Sequence, residues 1–157
     1  YAGTNGIQAE DLVFRKITLN DGKAVKSLLK EMRTNISSMK EHENLEPLSE
    51  ILERHVAEIE EATQYLLKEL GKGNLAGVSA SGTPYLKMFG QVLGGHYMGK
   101  AAVTATKNLL EDNTEFYNDK FTLSKFYIEQ LLPLASSYFS SVMLGKENLY
   151  SIDSNSF

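Results

Sequence analysis

The sequence predicts an all-α chain, an antiparallel four-helix bundle with a short extra helix at its N-terminal end. Three observations carry that prediction. Apolar residues recur at spacings of three and four over most of the chain, which is the pattern of one buried helix face. No segment alternates apolar and polar residues with period two, so no half-buried strand is expected. Glycine and proline gather between the periodic stretches, where helices stop and start.

The short first helix is expected from about Ile7 to Leu19. The next runs from about Asp21 to His42, with Asn20 or Asp21 as its N-cap and Val25, Leu28, Leu29, Met32, Ile36 and Met39 on one side. Pro47 suits the first turn of a third segment reaching Leu70, where Leu48, Leu52, Ile59, Ala62, Leu66 and Leu70 share a stripe. Gly71, Lys72, Gly73 and Asn74 should end it, with glycine at the expected C-terminal position. After a short segment from Leu75 to Ala80, Ser81-Gly82-Thr83-Pro84 reads as a turn, with Thr83 capping a helix that runs to about Leu110. A last helix is expected from Thr114 or Glu115 to Leu144, stopped by Gly145. Pro133 should kink or locally unwind it, because proline lacks an N–H and crowds the preceding turn. The polar tail 151–157 has no periodic pattern and reads as mobile.

Composition narrows the function. A chain of 157 residues with 42% hydrophobic and 23% charged residues is one folded domain in size and needs no staple. With no cysteine it has no disulfide, no thiolate zinc site and no thiol nucleophile. A net charge of -4 without a basic block argues against nucleic acid as a partner. No apolar run is long enough to span a bilayer, and the lack of tryptophan and of a basic polar face argues against a membrane-surface anchor. The absence of cysteine is compatible with a cytoplasmic location. The chain begins at Tyr1 rather than at methionine, which reads as a fragment of a longer polypeptide.

Side chains that could carry chemistry are few. The residues three before His42, His55 and His96 are Met39, Leu52 and Leu93, so the Glu-x-x-His pairs of a di-iron bundle are missing and no metal site is expected. His55 with Glu58 reads as part of an exposed helix face rather than a ligand pair. Ser136, Ser137, Ser140 and Ser141 have no histidine near them in sequence and read as small packing or solvent-facing residues. The acidic residues Glu50, Glu53, Glu58, Glu60 and Glu61, interspersed with basic ones, read as a solvated face. Tyr85, Met88, Phe89, Phe116, Phe121, Phe126, Tyr127 and Tyr138 read as core and interface residues. Gly90, Gly94, Gly95 and Gly99 each cost a helix about 1 kcal/mol relative to alanine. Close approach of another backbone is the main account of them, with a ligand groove as the alternative.

The stretch from Tyr1 to Gln8 places glycines and small polar residues just before an amphipathic helix. It reads as a turn whose backbone N–H groups can meet phosphate oxygens, or as a plain N-terminal turn. YAGTNGIQAEDLVFRK, Tyr1 to Lys16, resembles the end of the catalytic part of acyl-CoA dehydrogenases, which carry a Tyr-Glu-Gly-Thr turn followed by Ser or Asn, a variable residue, Ile and Gln. TPYLKMFGQVLGGHYMGKAA (Thr83 to Ala102) and FYNDKFTLSKFYIEQLLP (Phe116 to Pro133) resemble the extra C-terminal domain of one subgroup of long acyl-CoA dehydrogenases.

The resemblance implies a parent enzyme that uses FAD to remove two hydrogens across the α–β bond of an acyl-CoA thioester. A carboxylate takes the α-proton and the flavin takes a hydride from the β-carbon. In many members that carboxylate is the Glu of Tyr-Glu-Gly-Thr, and Ala2 stands at its place in this chain. A methyl group accepts no proton, so no catalytic residue is assigned. Gly3 matches the residue beside the substrate thioester, and Thr4, Asn5 and Gly6 match positions that touch FAD. Residues 1–19 then form the tail of the catalytic helical domain, 20–150 the C-terminal helical bundle, and 151–157 a tail. The fragment is expected to bind neither FAD nor acyl-CoA well and to be inactive alone. Its expected partners are its own upstream catalytic domains and further copies in a homo-oligomer. The competing reading is an independent helical protein-interaction module with no dehydrogenase attached.

Overall fold

A computed structural model describes residues 2–111 and 114–145, and the mobility expected of 151–157 falls outside them. Among the described residues the chain is helical apart from short turns, with no strand. The helices are α1 (Ala2–Glu10), α2 (Lys23–Lys40), α3 (Glu46–Gly71), α4 (Leu75–Glu111), α5 (Glu115–Phe126) and α6 (Ala135–Leu144). A wider π-helical stretch, Asp11–Lys16, extends α1. A second, Tyr127–Leu131, is followed by a tight 3₁₀ turn, Leu132–Leu134, and together they join α5 to α6. The all-α bundle anticipated from periodicity is therefore the observed fold.

Each amphipathic stripe points inward. Val25, Leu29, Met32, Ile36 and Met39 of α2 are buried, as are Leu48, Leu52, Val56, Ile59, Ala62 and Leu66 of α3. Helix α4 is the hub, packing against α1, α2, α3, α5 and α6. It contributes Val78, Tyr85, Met88, Val92 and Ala102 to the core, while Ile128, Leu132, Ala135 and Val142 close the core from the last stretch of chain. Ala9, Val13 and Ile17 are buried as well, so the N-terminal segment packs onto the bundle.

Helix ends follow the local chemistry in part. Pro47 lies in the first turn of α3. At its far end Gly73 N–H donates to Leu70 O at 2.9 Å and Asn74 N–H to Glu69 O at 3.0 Å. That pair of reversed bonds needs a left-handed residue, and Gly73 supplies it at φ +73°. Helix α2 departs from expectation. Asn20 and Asp21 do not cap it through their side chains; they take φ values of +52° and +57°. Gly22, at φ +76°, is the residue at the cap. Three consecutive residues of positive φ, Asn20, Asp21 and Gly22, make the turn that leads into α2.

The expected turn at Ser81-Gly82-Thr83-Pro84 is not there. Helix α4 runs unbroken for 37 residues and carries Pro84 inside it. The capped start lies nine residues earlier, at Asn74, whose Oδ1 accepts from Gly77 N–H at 3.2 Å. An interior proline costs a helix about 3 kcal/mol. Tertiary contacts on both sides of it offset that cost. The Ser81 hydroxyl donates to Val142 O at 2.9 Å. Gly82 faces α1, where a Cβ would make ordinary contact with Ala9 at 3.6 Å. The Tyr85 hydroxyl meets Thr63 Oγ1 at 2.7 Å, and both residues are buried. The last helix, by contrast, is interrupted at Pro133, where the chain takes a 3₁₀ turn.

Candidate functional site

The N-terminal segment, expected as a glycine-rich turn, is the helix α1. Its glycines are in helical conformation, so nothing there demands a turn. Gly3, Thr4 and Asn5 are exposed and Gly6 is half-buried. A Cβ added at Gly3 or Gly6 would meet nothing within 4 Å, which leaves this face of the first two turns bare. A flavin does not fit these residues as a site of their own. They offer one edge of an open helix. At the far end of the segment the Ser79 hydroxyl donates to Glu10 Oε1 at 3.1 Å, and Arg15 pairs with Asp11.

Two buried histidines lie elsewhere, and the sequence placed one of them wrongly. His55 is not on an exposed face; its side chain is fully buried. Its Nδ1 lies 2.9 Å from Glu58 Oε2, and the Ser136 hydroxyl donates to both oxygens of the same carboxylate, at 2.8 and 2.9 Å. Ser136 therefore does have a histidine nearby, with Oγ 3.4 Å from His55 Nδ1. The order is not that of a hydrolytic triad, in which the histidine stands between carboxylate and hydroxyl. Here the carboxylate takes both protons, and His55 Nε2 is buried without a partner. The cluster ties α3 to α6. Burial pulls the His55 pKa below its ordinary value, against the opposing pull of Glu58, so the ring is neutral at physiological pH. A hint existed in the sequence, since His55 is flanked on its helix face by Leu52, Val56 and Ile59.

The second histidine, His96, lies under a groove of about 270 Å³ between α2 and α4. Asn35 Nδ2 donates to His96 O at 2.9 Å, which fixes the orientation of the amide. The same nitrogen lies 3.4 Å from His96 Nδ1. A donor at that position makes Nδ1 an acceptor and leaves the ring proton on Nε2. Nε2 has no hydrogen-bond partner. It is 3.5 Å from Glu31 Oε1, an oxygen that Lys100 Nζ approaches to 3.1 Å. Lys100 holds the Glu31 pKa below the ordinary carboxylate range, and burial lowers that of His96.

The glycines of α4 explain how α2, α3 and the last stretch of chain come so near it. A Cβ at Gly95 would stand 3.0 Å from a Leu132 methyl and 3.2 Å from a Leu52 methyl; one at Gly99 would stand 2.8 Å from Met39 Sδ and 2.9 Å from Asn35 Nδ2. At Gly94 it would collide with the Tyr127 hydroxyl, whereas Gly90 faces open space. Close packing of neighbouring side chains, rather than the expected approach of another backbone, accounts for three of the four.

Among the described residues no cluster of three histidine or acidic side chains could hold a metal ion, and no helix is long and apolar enough to cross a membrane. No curated protein matches the chain. A family model described as acetyl-CoA dehydrogenase C-terminal like matches residues 28–153, taking in α3, α4, α5 and α6 entire and most of α2, and the chain belongs to that family.

Proposed function

We propose that the chain is the C-terminal part of an FAD-dependent enzyme that introduces a double bond between the α and β carbons of an acyl-CoA thioester. The family match over residues 28–153 carries this reading. The motif from Tyr1 to Lys16 supports it independently, because it lies wholly before the matched region. Residues 1–19 are the end of the catalytic helical domain and 20–150 a helical bundle that supports the catalytic body or the oligomer. The bare face of α1 at Gly3 and Gly6 is open to a partner from the upstream domains, and Ile7, exposed by 70%, projects from the same helix. Gly3 would lie by the thioester and Thr4, Asn5 and Gly6 by the flavin, which those domains enclose. Phe116, Leu123 and Phe126, each more than half exposed on α5, support a role in assembly. The location that suits this reading is cytoplasmic.

Ala2 decides what the parent can do. With no carboxylate at that position, proton abstraction requires a base on another element, or the parent is impaired. The test is made on the intact parent polypeptide and on the 157-residue chain. The parent should purify with stoichiometric flavin and reduce an artificial electron acceptor with acyl-CoA, and the short chain should do neither. Ala2→Glu in the parent should raise activity if the base is simply missing. A parent without flavin would refute the reading in favour of an independent helical interaction module. Normal parent activity that falls on Ala2→Glu would refute the missing base and place it elsewhere.

A further inference from the structure

The groove over His96 is independent of the dehydrogenase reading and lies away from α1. Its two strongest donors converge on one atom. His96 Nε2, on a side chain only 1% exposed, and the Lys100 ammonium both face Glu31 Oε1, at 3.5 and 3.1 Å. His96 carries its proton on Nε2 because Asn35 donates toward Nδ1. Nε2 makes no hydrogen bond of ordinary length: its nearest acceptor, Glu31 Oε1, stands at 3.5 Å, beyond the usual N–H···O range. Glu31 is itself 55% exposed and Lys100 50% exposed, so their ion pair is a surface one. Surface pairs of this kind shift an equilibrium by about fivefold at most, and Glu31 can leave readily.

We propose that this groove is a binding site for a small organic carboxylate, whose carboxyl group takes the place that the Glu31 carboxylate holds between His96 Nε2–H and the Lys100 ammonium. Glu31 acts as an internal competitor that fills the site when no ligand is present. The rest of the groove suits a mainly apolar body, with the Ser38 hydroxyl as one further polar group on its lining. Val103 is one wall, and the hydroxyls of Thr34 and Thr104 have already given their hydrogens to the Lys30 and Lys100 carbonyls, at 3.1 Å each. Two convergent donors suit a planar carboxylate of single charge. A phosphate, with four oxygens and more than one negative charge, would leave oxygens unpaired beside Glu31.

The test is an NMR titration of the 157-residue chain with butyrate, following the ring signals of His96, with inorganic phosphate as the competing probe. Wild type should show a saturable shift of those signals. Glu31→Ala should bind butyrate about fivefold more tightly, because the competitor is gone. Lys100→Met should weaken binding about tenfold or more, because a charged hydrogen bond is lost. Both substituted side chains are half exposed, so both variants should keep the amide spectrum of the folded chain, and Glu31→Gln serves as a second variant that keeps the side chain's size. Butyrate that fails to saturate in Glu31→Ala, or that binds Lys100→Met equally well, would overturn the proposal. Saturation by phosphate rather than butyrate would overturn the assignment to a carboxylate.

Discussion

Replacing Gly99 and Gly90 by alanine, one at a time, separates helix propensity from packing within a single helix. Both lie in α4 and both substitutions add one methyl, so each gains about 1 kcal/mol of intrinsic helix stability. At Gly90 nothing lies within 4 Å of the new carbon, and the gain should survive as about 0.5–1 kcal/mol of added stability. At Gly99 the methyl would stand 2.8 Å from Met39 Sδ and 2.9 Å from Asn35 Nδ2. Met39 is fully buried and has little room to swing away. Asn35 is held by its bond to His96 O, so displacing it breaks a buried hydrogen bond worth about 1 kcal/mol. Overpacking adds about 1–3 kcal/mol. Set against the propensity gain, Gly99→Ala should be destabilised by about 1–3 kcal/mol. Urea unfolding reads the difference directly. With a slope of about 2 kcal/mol per molar, the Gly99→Ala midpoint should fall by roughly 0.5–1.5 M while that of Gly90→Ala rises slightly. Midpoints that rise together for both variants would refute the claim that α2 crowds α4 at this point.

Other contacts set three further outcomes. Thr63 donates to Ile59 O at 2.6 Å and accepts from the Tyr85 hydroxyl, so Thr63→Val strands a buried phenol and should cost about 1–3 kcal/mol. Tyr85→Phe leaves Thr63 satisfied and should cost less by the same unfolding measurement; the reverse order would show the hydrogen bond misassigned. Burial lowers the folded pKa of His55, which faces Glu58 and Ser136 with Arg54 nearby, and of His96, which faces Glu31 and Lys100. The unfolded chain then binds more protons, so stability should be full above the ordinary histidine value of 6.5 and decline as pH falls through it. The shifted carboxylates Asp11, Glu31, Glu53 and Glu69 have ordinary values of 4.5 or less and act at lower pH, so a loss between about pH 7.5 and 5.5 that shrinks in His55→Gln isolates the histidine; an unchanged loss in that variant would rule it out. The purified 157-residue chain should give a helical circular dichroism spectrum without flavin absorbance, and stoichiometric flavin would contradict the proposed division of the enzyme.

The helices were legible wherever periodicity and termination agreed. The stripe of α3 and the glycine stop at Gly73 are local signals, and local signals suffice for them. Around Pro84 local and tertiary signals conflict. Ser-Gly-Thr-Pro reads as a break, yet Ser81, Gly82 and Tyr85 are held by Val142, Ala9 and Thr63, and no window of sequence around the proline contains those partners. The meeting of His55 with Ser136 was hidden for the same reason, since 81 positions separate them. The groove at His96 depends on a contact across 61 positions with Asn35, whose amide also sets the tautomer assigned to the ring. The four glycines of α4 did announce close packing, but only neighbours in space distinguish Gly99 from Gly90.

The two irregular stretches between α5 and α6 have opposite effects on winding. The π turn at Tyr127–Leu131 is looser than an α-helix and the 3₁₀ turn at Leu132–Leu134 is tighter. Their errors cancel. Ser124, Ile128, Leu132, Ala135 and Val142 all remain buried, and the first and last stand about five ideal turns apart, so one inward line continues across the defect. The buried line therefore resumes in α6 after the break at Pro133. Neither irregularity can be removed alone: straightening the 3₁₀ turn while the π turn remains would swing Val142 off the core, away from the Ser81 hydroxyl that its carbonyl accepts.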